Sequence, residues 1–173
     1  MDIKIPYTPR KHQKLLHQQI DKHRWSVLVC HRRFGKTVCM INHLIKSALM
    51  SKQKNPRFAY LAPTFKQAKS IAWDYMKQFT DKIPHTKFNE TELRVDLPNG
   101  ARITLLGSDS PDGLRGIYLD GCVIDEYANV NSRLFPEIIR PALSDRKGYC
   151  VFIGTPAGMN NNFYELYQHA NGA

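Results

Sequence analysis

The most informative stretch of this 173-residue sequence is a short basic segment that ends in Gly-Lys-Thr. It reads Cys30-His31-Arg32-Arg33-Phe34-Gly35-Lys36-Thr37, between an apolar run and a helical pattern. At a helix start, free amides and the positive end of the dipole favour bound phosphate. Gly35 would let the backbone approach closely, Lys36 would place its charge on the phosphates, and Thr37 would offer a hydroxyl to Mg²⁺. The segment predicts a phosphate-binding loop, although Cys30 stands where the usual pattern has glycine.

A second candidate is the carboxylate pair Asp125-Glu126, which directly follows the apolar run 122–124. In open α/β sheets, ligands bind beyond the carboxyl ends of the strands. Asp125 would hold the shell of Mg²⁺, and Glu126 would orient or deprotonate an attacking water. Each segment alone has an ordinary explanation, either a lysine at a helix start or two acids at a strand end. Together they predict a site that binds and hydrolyses a nucleotide.

The elements that must position these residues are visible as short apolar runs that alternate with helical periodicity. Strands are predicted at 25–30, 58–62, 122–124 and 149–153, and helices at 9–22, 36–50, 65–79, 132–143 and from 160. A hairpin is predicted at 93–105, where apolar residues alternate around the turn Asn99-Gly100. This order predicts an α/β fold with a mostly parallel sheet and helices on both faces, in a single domain over residues 1–173.

Composition narrows the function classes further. The net charge is +10, and residues 1–60 carry 13 Lys and Arg against two acids. Such a one-sided excess fits a polyanionic partner, nucleic acid or nucleotide, or else a solvated basic face. The four cysteines form no Cys-x-x-Cys pair, so neither a disulfide framework nor a zinc site is expected. No apolar run approaches the roughly 18 residues of a membrane-spanning helix, so we expect no membrane partner.

In the order of its motifs, the sequence resembles the ATPase domain of the large terminase subunit, the DNA-packaging motor of tailed phages. The resemblance covers nearly the whole chain. The matching segments are Tyr7-Thr8-Pro9-Arg10-Lys11-His12-Gln13, His31-Arg32-Arg33-Phe34-Gly35-Lys36-Thr37, Leu114-Arg115-Gly116, Asp125-Glu126 and Gly154-Thr155-Pro156. The first glycine of the phosphate loop is commonly missing in that family. The resemblance implies a P-loop NTPase of the RecA-like, ASCE type.

On the nucleotide side, the resemblance implies that Gln13 reads the adenine edge. Tyr7 would stack on the base or cover the core. Arg32, Arg33 and Phe34 would belong to the phosphate loop, where the arginines contact phosphate or DNA. The bland alternative for Gln13 is a polar residue on a helix.

On the catalytic side, the resemblance implies that Arg115 is an arginine finger, unless it only holds its own loop. Asp125 and Glu126 would be the metal-binding and catalytic acids. Gly154-Thr155-Pro156 would couple hydrolysis to movement, although the same residues could be an ordinary turn after a strand.

The activity implied is ATP hydrolysis with Mg²⁺ that drives double-stranded DNA into a procapsid. The implied partners are the DNA, the portal protein, the small terminase subunit and further copies in a ring, in the host cytoplasm. Two alternative functions are a nucleic-acid helicase and a DNA-binding module whose site has decayed. A helicase would have a second motor domain and a Ser-Ala-Thr motif in the place of Gly154-Thr155-Pro156. A decayed module would have lost site residues, whereas Lys36, Thr37, Asp125 and Glu126 are all present. Few acids follow Glu126, so we expect the nuclease domain to be absent. Only one predicted helix follows Gly154-Thr155-Pro156, so we expect the lid region of the family to be truncated.

Overall fold

A seven-stranded sheet organises the part of the chain that the computed structural model describes, residues 4–29, 35–110 and 114–154. The strands are β1 (Trp25–Val29), β2 (Arg57–Ala62), β3 (Lys87–Asn89), β4 (Arg94–Asp96), β5 (Arg102–Gly107), β6 (Gly121–Ile124) and β7 (Tyr149–Gly154). Their spatial order is β1-β7-β6-β2-β5-β4-β3. The five strands from β1 to β5 in this order pair in parallel, and β4 and β3 add an antiparallel edge. The predicted α/β class and mostly parallel sheet are confirmed.

Helices flank the sheet on both faces, as predicted. They are α1 (Lys11–Lys22), α2 (Lys36–Met50), α3 (Phe65–Ala68), α4 (Asp74–Thr80) and α5 (Arg140–Ser144). A π-helical turn, Lys69–Trp73, joins α3 to α4, a 3-10 turn, Tyr127–Asn129, follows β6, and a second π-helical turn, Phe135–Ile139, leads into α5. The alternation of the central strands serves both faces, since Phe58 and Tyr60 enter the core under α2 and Leu61 enters the core under α5.

The predicted hairpin is confirmed as β4 and β5. The N–H of Leu97 donates to the carbonyl of Ala101 at 2.9 Å, and Gly100 takes the left-handed conformation that the tight turn requires, φ +87°. The side-chain amide of Asn99 donates to the carbonyl of Ala48 at 2.9 Å, which fastens the hairpin to the end of α2. The hairpin therefore helps to hold the helix that begins at the phosphate loop.

Three features differ from the sequence-based expectation. β3 was not predicted, because it has three residues, two of them exposed, and no apolar alternation. The helices predicted at 65–79 and 132–143 are interrupted by π-helical turns. In the second case, Pro141 lacks the N–H that an α-helix would direct back to residue 137. The last residue of the strand predicted at 25–30 and the helix predicted from 160 lie outside the described residues.

Two further expectations concern chemistry rather than shape. Cys39, Cys122 and Cys150 carry free thiols in the part of the chain that the structure describes. No helix within those ranges is both long and apolar enough to cross a bilayer.

The helix packing leads to a stability prediction with a matched pair. Leu44 on α2 is fully buried, whereas Leu15 on α1 is 59% exposed. Leu44→Ala should lower the free energy of unfolding by about 2–5 kcal/mol, because it removes buried methyl groups and leaves a cavity. Leu15→Ala, the same change on a solvent-facing helix, should stay within about 0.5 kcal/mol of wild type. Urea denaturation of both variants measures the difference, and equal losses would contradict the packing described.

Candidate nucleotide-binding site

The carboxyl edge of the parallel strands brings the sequence-predicted residues together. β1 leads into the phosphate loop, β6 ends immediately before Asp125, and β7 lies between these two strands. Val29 of β1 stands beside Gly154 of β7 in the parallel register. Gly154, the first residue of the predicted coupling motif, therefore lies at the same edge as the phosphate loop.

A buried ion pair joins the two central predicted motifs. The Nζ atom of Lys36 lies 3.6 Å from Oδ1 of Asp125, and the two side chains are 12% and 4% exposed. Residues that are far apart in the sequence thus meet directly, as a single composite site requires. Since the pair is shielded from water, its attraction is stronger than that of an exposed pair. Phosphate oxygens that bind at this edge would meet an ammonium group already held in place.

Tyr60 on β2 is a further member of the site that contains Lys36 and Asp125, although the sequence pattern indicates only a strand residue. Its side chain is fully buried, and its hydroxyl donates to Oδ2 of Asp125. Burial, and then the neighbouring carboxylate of Asp125, raise the pKa of Tyr60 well above its ordinary value, so the phenol keeps its proton. The available signal was one hydroxyl in the otherwise apolar run 58–62.

Glu126 follows Asp125 in a left-handed backbone conformation, with φ +48°. For a residue other than glycine this conformation is sparsely populated and costs on the order of 1 kcal/mol or more. The turn directs the Glu126 N–H back onto Oδ1 of Asp125 at 2.9 Å and starts the 3-10 turn. The two adjacent carboxylates thus leave strand geometry at once and take separate positions at the edge of the sheet. Glu126 is half-buried.

Gln13 connects the first helix to the phosphate loop. Its Nε2 donates to the carbonyl of Gly35 at 3.2 Å, and its Oε1 accepts from the N–H of Arg10 at 2.9 Å. The second contact satisfies one of the free amides at the start of α1. The Gln13 side chain is buried, so both ends of its amide have protein partners here. Its predicted role in reading adenine stays a prediction.

Position 35 requires glycine, and one reason is the neighbouring Arg10, to which the sequence patterns assign no role of its own. The φ of Gly35 is +74°, and a Cβ added at this position would overlap the guanidinium of Arg10. Arg10 therefore packs directly against the phosphate loop. Its place three residues before Gln13 in a matched motif was the signal that could have singled it out.

Tyr7 covers the core beside α1 rather than standing apart from it. Its hydroxyl is hydrogen-bonded to Nε2 of His17 at 2.9 Å, and its ring meets Phe79 edge-on at 6.0 Å. Tyr7 thus packs on the core in this structure, and its predicted stacking on adenine stays a prediction. With Ile5, Pro9 and Lys14, Tyr7 lines a surface cavity of about 310 Å³.

Two histidines hold α1 on α2. Nδ1 of His17 lies 2.8 Å from Nδ1 of His43, and the rings stack with centroids 5.1 Å apart. Burial, and then the neighbouring His17, lower the pKa of His43 to about 4. Nε2 of His43 lies 3.6 Å from Oδ1 of Asp21. Because Gln13 is on α1, the position of Gln13 against the phosphate loop depends on this neutral pair.

Arg115 is exposed on the turn that follows residue 113. It lines a small surface cavity of about 170 Å³ together with Asn131, Arg133 and Glu137. The structure thus places it beside the segment that leads into α5. Five other predicted site residues lie outside the described residues, namely Arg32, Arg33, Phe34, Thr155 and Pro156.

The oxygen donors at the sheet edge fit Mg²⁺. Mg²⁺ prefers hard oxygen ligands, keeps several waters and usually takes one or two protein groups. Thr37 offers a hydroxyl in the first turn of α2, and Asp125 offers a carboxylate that the Tyr60 hydroxyl holds in place. In the described ranges, no group of three or more His, Cys, Asp or Glu side chains could hold a metal by itself.

In this parallel sheet, Gly-Lys-Thr opens the helix after β1, and the acidic pair follows β6, two strands away. This arrangement defines a RecA-like P-loop NTPase fold. The family model described as terminase large subunit, T4likevirus-type, N-terminal, matches residues 29–171, so the chain belongs to this family. The large terminase subunit of Thermus phage G20c is 30% identical over an alignment of 126 residues, and the match covers 62% of this chain and 26% of that protein. This chain thus spans about a quarter of that relative's length.

Solved structures agree with this assignment. A point mutant of the ATPase domain of the Thermus phage P74-26 large terminase superposes with a TM-score of 0.77 at 25% identity, covering 94% of this chain and 71% of that one. The large terminase of another thermophilic bacteriophage, in complex with ADP, has a TM-score of 0.68 at 16% identity, covering 91% and 49%. At that identity the second likeness concerns the fold alone.

The histidine pair predicts a loss of stability in mild acid. The pKa of His43 is about 4 in the folded chain and 6.5 ordinarily, so between these values the unfolded chain binds a proton that the folded chain does not. Stability should therefore fall as the pH drops from about 6.5 towards 4, by about 1–2 kcal/mol at pH 5. Urea denaturation at pH 7 and pH 5 measures this loss. His43→Gln should be less stable at pH 7 but lose less on acidification, and a parallel pH profile would contradict the assignment.

Proposed function

We propose that this chain is the ATP-hydrolysing motor domain of a large terminase subunit, which moves double-stranded DNA into a viral procapsid. The observation that carries the proposal is the buried contact between Lys36 and Asp125 at the carboxyl edge of a RecA-like sheet. Family membership supplies the process in which such a site would act.

Nucleotide binding would rest on the start of α2. The free amides there and the ammonium of Lys36 both favour the phosphates of ATP. Position 35 accepts only glycine, because its backbone is left-handed and a side chain there would overlap Arg10. The thermophilic phage terminase that shares the fold was solved with ADP and with ATP-γ-S. Gln13, already bonded to Gly35, would turn its amide to the adenine edge when the base is present.

Hydrolysis would depend on Glu126 and on the oxygen donors beside it. Thr37 and Asp125 would hold Mg²⁺, which supplies positive charge to the phosphates when bound. The half-buried carboxylate of Glu126 would orient the attacking water and accept its proton. Arg115 would add positive charge as the phosphoryl group is transferred.

Coupling of ATP hydrolysis to DNA movement would use β7, which lies between β1, before the phosphate loop, and β6, before Asp125. β7 ends at Gly154, next to the strand of the phosphate loop, so Gly154-Thr155-Pro156 would sense the state of the nucleotide. The positive excess in residues 1–60 would meet DNA phosphates, and contacts of that kind ignore base sequence and weaken with salt. The portal protein, the small subunit and further copies in a ring are the partners proposed with this role.

A pair of substitutions tests the chemistry. Glu126→Gln should retain ATP binding but lower turnover by about 10²–10⁴-fold, because the amide cannot accept a proton. Lys36→Ala should instead lose most nucleotide affinity, since the phosphates lose the ammonium now held beside Asp125. Phosphate release and nucleotide titration, each with and without DNA, separate the two effects. Wild-type turnover in Glu126→Gln would assign the base elsewhere, and unchanged affinity in Lys36→Ala would refute the phosphate loop.

A mixing experiment tests whether Arg115 acts on a neighbouring subunit. An arginine finger supplied in this way is worth about 10³–10⁵ in rate. Arg115→Ala should bind ATP without hydrolysing it, and mixing it with Glu126→Ala chains should restore activity, because some interfaces then combine both intact residues. Arg133→Ala, an exposed arginine in the same cavity, is the matched control and should keep wild-type turnover. An inactive mixture of chains that bind nucleotide and assemble would contradict the role between subunits.

A further inference from the structure

Tyr60 lies at a buried, apolar position of β2, where the presence of a hydroxyl group requires an explanation. It is the central residue of a strand in which its neighbours on the same face, Phe58 and Ala62, are apolar and belong to the core. Its side chain is fully buried, and its register partner on β6 is Val123. From there the phenol reaches along the face of the sheet to Asp125, two residues beyond Val123. The ring fills the core, and the hydroxyl ends in the nucleotide site.

The hydroxyl of Tyr60 holds one of the two candidate metal-binding side chains. Tyr60 donates its proton to Oδ2 of Asp125. An ionised carboxylate only accepts hydrogen bonds, and each of its oxygens has two lone pairs. The second lone pair of Oδ2 therefore stays available to an incoming cation.

The hydrogen bond from Tyr60 also fixes how the carboxylate of Asp125 is turned. Groups that hydrogen-bond to a metal ligand commonly fix its orientation and raise its donor strength. Oδ1 of Asp125 faces Lys36 and the N–H of Glu126, so Tyr60 takes the other carboxylate oxygen and fixes the rotation of the group.

We propose that Tyr60 is a positioning residue for the metal part of the site: its hydroxyl holds Asp125, so that the carboxylate presents oxygen lone pairs to a divalent cation bound with the nucleotide. This inference rests on the proposed nucleotide-binding function. It adds a requirement that the phosphate loop and the acidic pair do not contain, namely a hydroxyl supplied by a third strand.

The test compares two tyrosine-to-phenylalanine variants. Tyr60→Phe removes the hydroxyl and keeps the ring. Tyr149→Phe is the matched control, because Tyr149 also lies in the sheet with its hydroxyl in a hydrogen bond, to Ser47 Oγ at 2.9 Å, away from Asp125. Affinity for ATP-γ-S is measured by calorimetry in EDTA and across a Mg²⁺ titration. The readouts are the metal-free affinity and the Mg²⁺ concentration that gives half of the metal effect.

For Tyr60→Phe we expect metal-free affinity within about twofold of wild type and a half-maximal Mg²⁺ concentration about 10–100-fold higher, the usual effect of losing a group behind a metal ligand. Tyr149→Phe should match wild type in both readouts. If Tyr60→Phe is unstable alone, ATP-γ-S in EDTA stabilises its folded state by mass action, and the Mg²⁺ titration starts from that complex.

The outcomes separate the inference from the function beneath it. If wild-type chain does not bind ATP-γ-S, or its affinity ignores Mg²⁺, the proposed function fails. If wild type responds to Mg²⁺ and Tyr60→Phe responds at the same concentration, the function stands and the role of Tyr60 is wrong. An equal loss of affinity in EDTA and in Mg²⁺ would also overturn it, because it would assign Tyr60 to the shape of the site alone.

Discussion

The buried contact between Lys36 and Asp125 is the interaction on which the rest of the site depends. Opposite charges removed from water lose their hydration, and their attraction offsets that loss only when the remaining donors and acceptors are also satisfied. Here the carboxylate has a further partner on each oxygen, the hydroxyl of Tyr60 and the N–H of Glu126. The charge pair is therefore stable only while α2, β2 and β6 keep their relative positions. Both cores of the protein contribute to holding them.

The order of the strands explains how that requirement is met. Parallel strands deliver their carboxyl ends to one edge, and β7 spaces the phosphate-loop strand from the acidic strand. Strands buried on both faces resist displacement, because any shift would open cavities in two cores at once. The left-handed turn at Glu126 is an unfavourable local conformation that this packing sustains. Because the backbone turns at Glu126, the carboxylates of Asp125 and Glu126 take separate positions at the edge of the sheet.

The first helix adds a second, more polar constraint. Gln13 is bonded to Gly35, while His17 and His43 join α1 to α2 through a short contact between uncharged rings. An apolar contact at the same place would be insensitive to pH, whereas this one weakens when the rings acquire protons. The N-terminal segment, with Arg10 against the phosphate loop, is thus coupled to the site through groups whose state depends on the medium.

Features carried by neighbouring residues could be predicted from the sequence. The strands, the helix after Gly-Lys-Thr, the Asn-Gly hairpin and the acidic strand end are local patterns, because periodicity, turn chemistry and helix starts act over a few residues. The role of Tyr60 could not be predicted, since nothing near it in the chain shows that β2 lies beside β6 or that its hydroxyl reaches Asp125. Arg10 against Gly35 and His17 on His43 have the same origin. Such contacts join distant segments, so they exist only after sheet order, register and helix packing have brought the side chains within a few ångströms of each other.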